Sequence, residues 1–156
     1  MSLAPVDLSE EAAIDHDTSD LGTGGNYFSQ NAVTLLADKA GIDLPDDYTP
    51  AQKLKHVQQL MEKGDRCADK IFASIGCFLG HTVPLYASMY DIRYLLVLGR
   101  VMSGLGGDKI IQVCNRVLRD EYPEFADRVE VVLPNEEFRR LGQSMVAASL
   151  PMVKNK

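Results

Sequence analysis

The residues whose types and spacing can do chemistry lie in DIRYLLVLGRVMSGLGGDK, residues 91–109, where an apolar run stops in a loop that holds four glycines. Gly99, Gly104, Gly106 and Gly107 bring backbone with little side-chain bulk to the carboxyl end of an expected strand, and with Leu98, Arg100 and Ser103 they make up the candidate cofactor-binding residues. That is where open α/β sheets place ligands, and the pattern suits a phosphate or a nucleotide. Tyr94 to Leu98 lacks polar alternation, which predicts a parallel strand covered on both faces, and Asp108 is expected to cap the following helix. Gly106 and Gly107 ahead of that cap would keep an anion-accepting helix start available. A tight strand-to-helix turn needs glycines on its own account, so spacing leaves turn chemistry and ligand chemistry both open.

The other reactive side chains are scattered. Cys67, Cys77 and Cys114 are an odd number at wide spacing, and two fall in apolar helical patterns where a free thiol acts as a small hydrophobe. His16, His56 and His81 form no HxxxH pair and the chain has no CxxC, so no metal, and no zinc in particular, is expected. Sixteen Lys and Arg against 22 Asp and Glu leave a net charge of −6 without a basic run, which argues against nucleic acid as a partner. The uninterrupted apolar runs are shorter than the roughly 20 residues of a spanning helix. The opening MSLAPVDLSEEAAIDHD is acidic where a signal peptide is basic, so a cytoplasmic location and no membrane partner are expected.

These residues must be positioned by the elements around them. A chain of 156 residues, 46% hydrophobic, supports one core. Residues 1–26, with LGTGGN at their end, carry no apolar period and are expected to be loosely ordered, or ordered by a partner. The main α/β portion is read as residues 27–151, with 152–156 a tail. Its first helix, Gln30 to Ala40, has Ser29 as cap and Gly41 as stop. The second, Pro50 to Lys63, starts on Thr49-Pro50-Ala51-Gln52, a capping box with proline at the first helical position. A long third helix follows the Asp65 cap with apolar residues from Ala68 to Met89, and its Gly76, Gly80 and Pro84 predict a kink or a close backbone approach. After the strand come a helix near Lys109 to Arg119, a second strand Val129 to Leu133, and a last helix capped by Asn135 and ended by Pro151.

The fold class is therefore helix-rich α/β with a small parallel sheet joined by a right-handed crossover. Two parallel strands alone leave open edges and faces. The remaining strands are expected either from an N-terminal portion of a longer chain or from another chain.

With these elements placed, Asp65 to Pro151 resembles the C-terminal part of the ROK family (repressor, open reading frame, kinase) of sugar kinases and their regulatory relatives, within the actin-like ATPase superfamily. The matching stretches are ADKIFASIGCFLGHTVPLYASMYDI, RYLLVLGRVMSG, VEVVLPN and EEFRRLGQSMVAASLP. Gly99 matches the first glycine of the superfamily's adenosine motif, Arg100 replaces the second, and Ser103 and Gly104 follow. The family's cysteine-rich zinc motif has no counterpart in DHDTSDLGTGGNYFSQNAV. LGTGG is similar to the superfamily's second phosphate motif, which would give Thr23, Gly24 and Gly25 a phosphate role, with a flexible hinge as the alternative.

The resemblance implies a partial actin-like ATPase (RNase H-like) C-terminal domain whose Leu98, Gly99, Arg100, Ser103 and Gly104 border an adenosine pocket. The cofactor would be ATP, with Mg in the parent protein. A sugar kinase of this kind also needs a phosphate loop, a sugar pocket and a catalytic aspartate from an N-terminal domain, which nothing before Asp65 resembles. The chain alone is thus expected to hold nucleotide and not to catalyse, because phosphoryl transfer needs groups from both lobes. Its partners would be the missing N-terminal domain, the nucleotide, the sugar bound by the parent and, in a homo-oligomer, further copies of itself. The alternatives are a non-catalytic kinase-like module for regulation or oligomerisation, and a small α/β protein whose sheet is completed by dimerisation.

Overall fold

The computed structural model describes residues 4–15 and 18–133, so the expected last helix from Asn135 to Pro151 and the tail lie outside the described residues. In chain order the elements are α1 (Gly25–Phe28), α2 (Gln30–Lys39), α3 (Pro50–Glu62), α4 (Arg66–Met89), β1 (Tyr94–Leu96), a 3-10 turn (Arg100–Met102), α5 (Gly104–Glu121), α6 (Pro123–Ala126) and β2 (Glu130–Val132). The protein is helix-rich, with a two-stranded parallel sheet.

The helix starts follow from local chemistry. Ser29 Oγ accepts from Asn31 N at 3.0 Å, and Asp65 Oδ1 accepts from Ala68 N at 2.8 Å, each satisfying an orphan donor of a first turn. At α3 the capping box is complete, with Thr49 N donating to Gln52 Oε1 at 2.8 Å and Gln52 N donating to Thr49 Oγ1 at 3.4 Å.

The core is built on α4 and α5. Phe72, Ile75, Leu79 and Val83 of α4 meet Ile110, Cys114 and Leu118 of α5, while Val33 of α2 and Val57 of α3 close the side. Gly76 and Gly80 explain how the two helices come so near. A Cβ at Gly76 would lie 2.6 Å from the carbonyl oxygen of Ile110, and one at Gly80 would lie 2.7 Å from Val117 Cβ. The expected close approach is therefore helix packing, and α4 continues through the buried Pro84 to Met89. By length and composition α4 is long and apolar enough to cross a membrane, a feature the run-length reading passed over, and Arg66–Met89 contributes the largest part of this core.

β1 and β2 pair in parallel, with Tyr94 opposite Glu130, Leu95 opposite Val131 and Leu96 opposite Val132. The expectation that β1 is covered on both faces is corrected here. Leu95, Val97 and Val131 pack against the core, whereas Tyr94, Leu96 and Leu98 are 71%, 54% and 52% exposed. Side chains alternate across a strand, and among the described residues the helices cover only one of its faces.

The N-terminal stretch, expected to be loosely ordered, is closed on itself by antiparallel bridges of Pro5 with Thr23 and Ile14 with Leu21. Asp15 Oδ2 accepts from the hydroxyl of the buried Thr23 at 3.0 Å, and Tyr27 OH donates to Asp7. The Tyr27 ring meets Phe78 of α4 edge-on at 5.4 Å, which ties this clasp to the core helix.

Candidate functional site

The glycine loop begins where β1 loses its partner. Val97 N still donates to Val132 O at 3.0 Å, and the chain then enters Gly99 with φ 135° and ψ 164°, a conformation that a residue with a Cβ rarely adopts. Arg100–Met102 make one 3-10 turn, closed by Met102 N donating to Gly99 O at 3.1 Å. Gly104, with φ 61°, then opens α5.

Two glycine pairs with different duties result. A Cβ at Gly99 or Gly104 would meet no atom within 4 Å, so these two serve backbone conformation and face open space. Gly106 and Gly107 are buried within the first turns of α5, where a Cβ at Gly106 would sit 2.6 Å from Phe72 Cε1 and one at Gly107 would strike the backbone of Met102. These two are packing glycines. The expected Asp108 cap is corrected with them, because α5 starts at Gly104, with Ser103 in the cap position, and Asp108 stands more than a turn inside the helix. A helix-interior glycine looks like loop in sequence, and only the approach of Phe72 and Met102 reveals why it is there.

Leu98, Gly99, Arg100 and Val101 line one side of a cleft of about 290 Å³, with Phe28 at the end of α1, the Ser29 cap, and Gln30 and Asn31 from the start of α2 on the other. Leu98, Gly99 and Arg100 are thus brought together at the carboxyl end of β1. Ser103 and Gly104 are not among its lining residues. Ser103 Oγ instead donates to Arg100 O at 2.7 Å, and Gln58 Nε2 of α3 donates to Ser103 O at 3.0 Å and to Ser103 Oγ at 3.1 Å. Ser103 makes no side-chain cap at the start of α5.

Sequence reasoning missed Gln58 and Gln30. The one signal for Gln58 is a polar residue beside the buried Val57; for Gln30, it is a long amide where α2 needs only a helix former. Gln30 Oε1 is shut off from solvent and has no hydrogen-bond partner among the described residues.

The phosphate reading of LGTGG finds a different arrangement. Thr23 is buried with its hydroxyl bonded to Asp15, and Gly24 N donates to Ala4 O at 3.0 Å, so this stretch holds the clasp together. A larger concavity of about 740 Å³ lies between α3, α4 and α5, lined by Asp65, Arg66, Asp69, Lys70, Asp108 and Lys109. Its charges are mixed and partly paired, with Lys109 Nζ 2.8 Å from Asp69 Oδ1, so it shows no net preference for an anion or a cation. Among the described residues no group of three His, Cys, Asp or Glu could hold a metal ion. His81 Nδ1 lies 3.0 Å from Tyr122 OH, and the His56 ring stands edge-on to Tyr48 at 6.2 Å. Cys67 is exposed, Cys77 half-buried and Cys114 buried, where burial pushes its thiol up to about 12.

No protein-family model matches the chain, and no curated protein matches it.

Proposed function

We propose that this chain is the C-terminal, adenosine-side portion of an ATP-dependent, ROK-like sugar kinase with a partial actin-like ATPase domain. The observation that carries the reading is Gly99: its conformation suits glycine, and its Cβ direction opens onto space beside a cleft at the carboxyl end of a parallel strand. A glycine kept for packing would be crowded, as Gly106 and Gly107 are.

In this reading the backbone from Leu98 to Arg100 borders the base and ribose, and Arg100, exposed beside Gly99, reaches toward the phosphates or lies across the base. ATP, when bound with Mg, supplies the transferable phosphoryl group. The residues of this chain bind and orient it. Ser103 contributes indirectly by tying the Arg100 carbonyl, with Gln58 holding Ser103 in turn. The sugar, the attacking hydroxyl and its base belong to the other lobe, so catalysis requires that lobe as well.

The test is titration of the chain with ATP and ADP by calorimetry, with Gly99→Val as control and circular dichroism as the check on folding. Binding by the wild type, weakened about tenfold or more in the folded variant, is the expected result. Unchanged affinity in Gly99→Val would sink the idea.

A second reading, a non-catalytic kinase-like module for regulation or self-association, is favoured by the outward row Tyr94, Leu96 and Leu98. Light scattering over a concentration series separates the two: self-association abolished by Leu96→Lys, in a chain that ignores ATP, supports the module.

A further inference from the structure

We propose that the N-terminal clasp is the seat of this chain's own residues 138–156, drawn to it by opposite charge and held by apolar contact. This seat is independent of nucleotide binding at the cleft. Charge is distributed unevenly along the chain. Residues 1–38 hold seven of the 22 acidic residues and no Lys or Arg, so the rest of the chain is close to neutral, with 16 basic residues against 15 acidic. Residues 138–156, which lie outside the described residues, reverse the pattern: Arg139, Arg140, Lys154 and Lys156 occur there without an Asp or a Glu.

The clasp also shows apolar surface that it does not cover itself. Ile14 and Leu21 stand opposite each other in an antiparallel bridge and are 59% and 52% exposed. Side chains so paired share one face. Leu8 is 89% exposed, and with Leu21 it flanks the contact in which Asp7 N donates to Gly22 O at 3.2 Å. Glu10 and Glu11 follow Leu8 closely and Asp20 precedes Leu21; all three are exposed, and among the described residues none of them is in an ion pair. Apolar side chains in an acidic setting call for a partner that is both apolar and basic. Leu141, Met145, Leu150 and Val153 supply the first property and the four cations the second.

Position allows the same chain to provide that partner. The described chain ends at Leu133, beside Val132, whose carbonyl accepts from Val97 N at the carboxyl end of the sheet. Phe28 and Ser29 stand across the cleft there, only a few residues beyond the clasp. Residues 134–156 can span up to about 75 Å, so length does not limit the reach. The outward row Tyr94, Leu96 and Leu98 is the competing seat. Its exposed charged neighbours are Glu130 against Arg93 and Arg100, so a basic stretch meets more repulsion than attraction there.

The chain has no tryptophan, so Leu8→Trp in the full chain reports on the clasp face. At low salt its emission is expected at the short wavelengths of a covered indole, and Arg139→Glu with Arg140→Glu should move it to those of a hydrated one. Adding Glu10→Lys and Glu11→Lys to that chain should restore the covered spectrum, because the pairs are rebuilt with their signs exchanged. Without the reporter, the amides of Val6 and Gly24, which donate to Gly22 O and Ala4 O, should exchange about threefold faster or more after the arginine reversal. Salt gives a second route that needs no charge variant. The covered spectrum should fade as the Debye length falls from about 30 Å at 0.01 M to about 3 Å at 1 M. A hydrated spectrum of Leu8→Trp at low salt overturns the inference, as does a covered one that ignores both charge reversal and salt. A covered spectrum that depends on protein concentration overturns it in favour of a second copy. A Leu96→Trp reporter that answers the arginine reversal while Leu8→Trp does not would move the stretch to the sheet, and overturns it too.

Discussion

Gln58 and Ser103 are joined by a forked contact, in which one amide nitrogen of α3 donates to both the carbonyl and the hydroxyl of the residue before α5. Because Ser103 in turn donates to Arg100 O, a helix far along the chain from the glycine loop fixes the shape of that loop. Gln58→Ala leaves the Ser103 carbonyl without this donor and is expected to cost about 1 kcal/mol. Nucleotide affinity should fall with it, while Gln58→Leu, similar in bulk, should restore packing without restoring affinity. Denaturant midpoints and calorimetric titration of the two variants check both points.

The α4–α5 crossing should not tolerate a methyl group. Alanine is favoured over glycine within a helix by about 1 kcal/mol, but the new Cβ at position 76 would face the Ile110 backbone, which cannot turn aside as a side chain can. Overpacking is expected to win, so Gly76→Ala should lower stability by about 1–3 kcal/mol before that propensity gain is counted, seen as a fall in the thermal midpoint. An unchanged or higher midpoint would refute this packing account.

The N-terminal clasp should loosen at both ends of the pH scale. The hydrogen bond from Tyr27 holds the Asp7 carboxyl below the usual carboxylate range, whereas burial, and then the bond to Asp7, push the Tyr27 phenol up. Asp7 therefore contributes stability that is complete above the ordinary aspartate range and is lost as pH falls through its lowered folded value. Tyr27 contributes stability that is complete below the ordinary tyrosine value near 10 and is lost as pH rises through its raised folded value. Tyr27→Phe should flatten both limbs when urea midpoints are measured by circular dichroism across pH.

Thiol chemistry should follow burial. With Cys114 pushed up to about 12 and enclosed by the core, it should resist a disulfide reagent at pH 8 while the exposed Cys67 reacts at once. Reaction of Cys114 only at the global unfolding rate is the expected outcome. Labelling in the native state as fast as that of Cys67 would mean that the core is open there.

Much of the helical frame was legible because helix ends are local chemistry. Ser29, Thr49 with Gln52, and Asp65 mark their own starts by hydrogen bonds a few residues long, and the observed bounds of α2 and α3 differ from the sequence reading by one residue at the carboxyl end. The start of α5 was not legible, since Gly106 and Gly107 read as loop until Phe72 and Met102 are seen against them. The exposed face of β1 was missed because an all-apolar strand carries no mark of which side its neighbours will cover. At the cleft, Leu98, Gly99 and Arg100 were visible as a motif, whereas Gln30 and Gln58 come from other helices and have no spacing that links them to it.

The pairing of Tyr94 with Glu130 spans the whole of α5 and α6, and this has a kinetic meaning. A chain must close that long loop before the sheet yields any hydrogen bond, while the capped helices form from near neighbours. β1 and β2 should therefore join after the capped helices have formed. The amides of Val97 and Glu130, which donate across the pair to Val132 O and Arg93 O, should exchange with solvent sooner than those in the middle of α4. The carboxyl end of β1, where the cleft lies, would then become rigid only after the capped helices have formed.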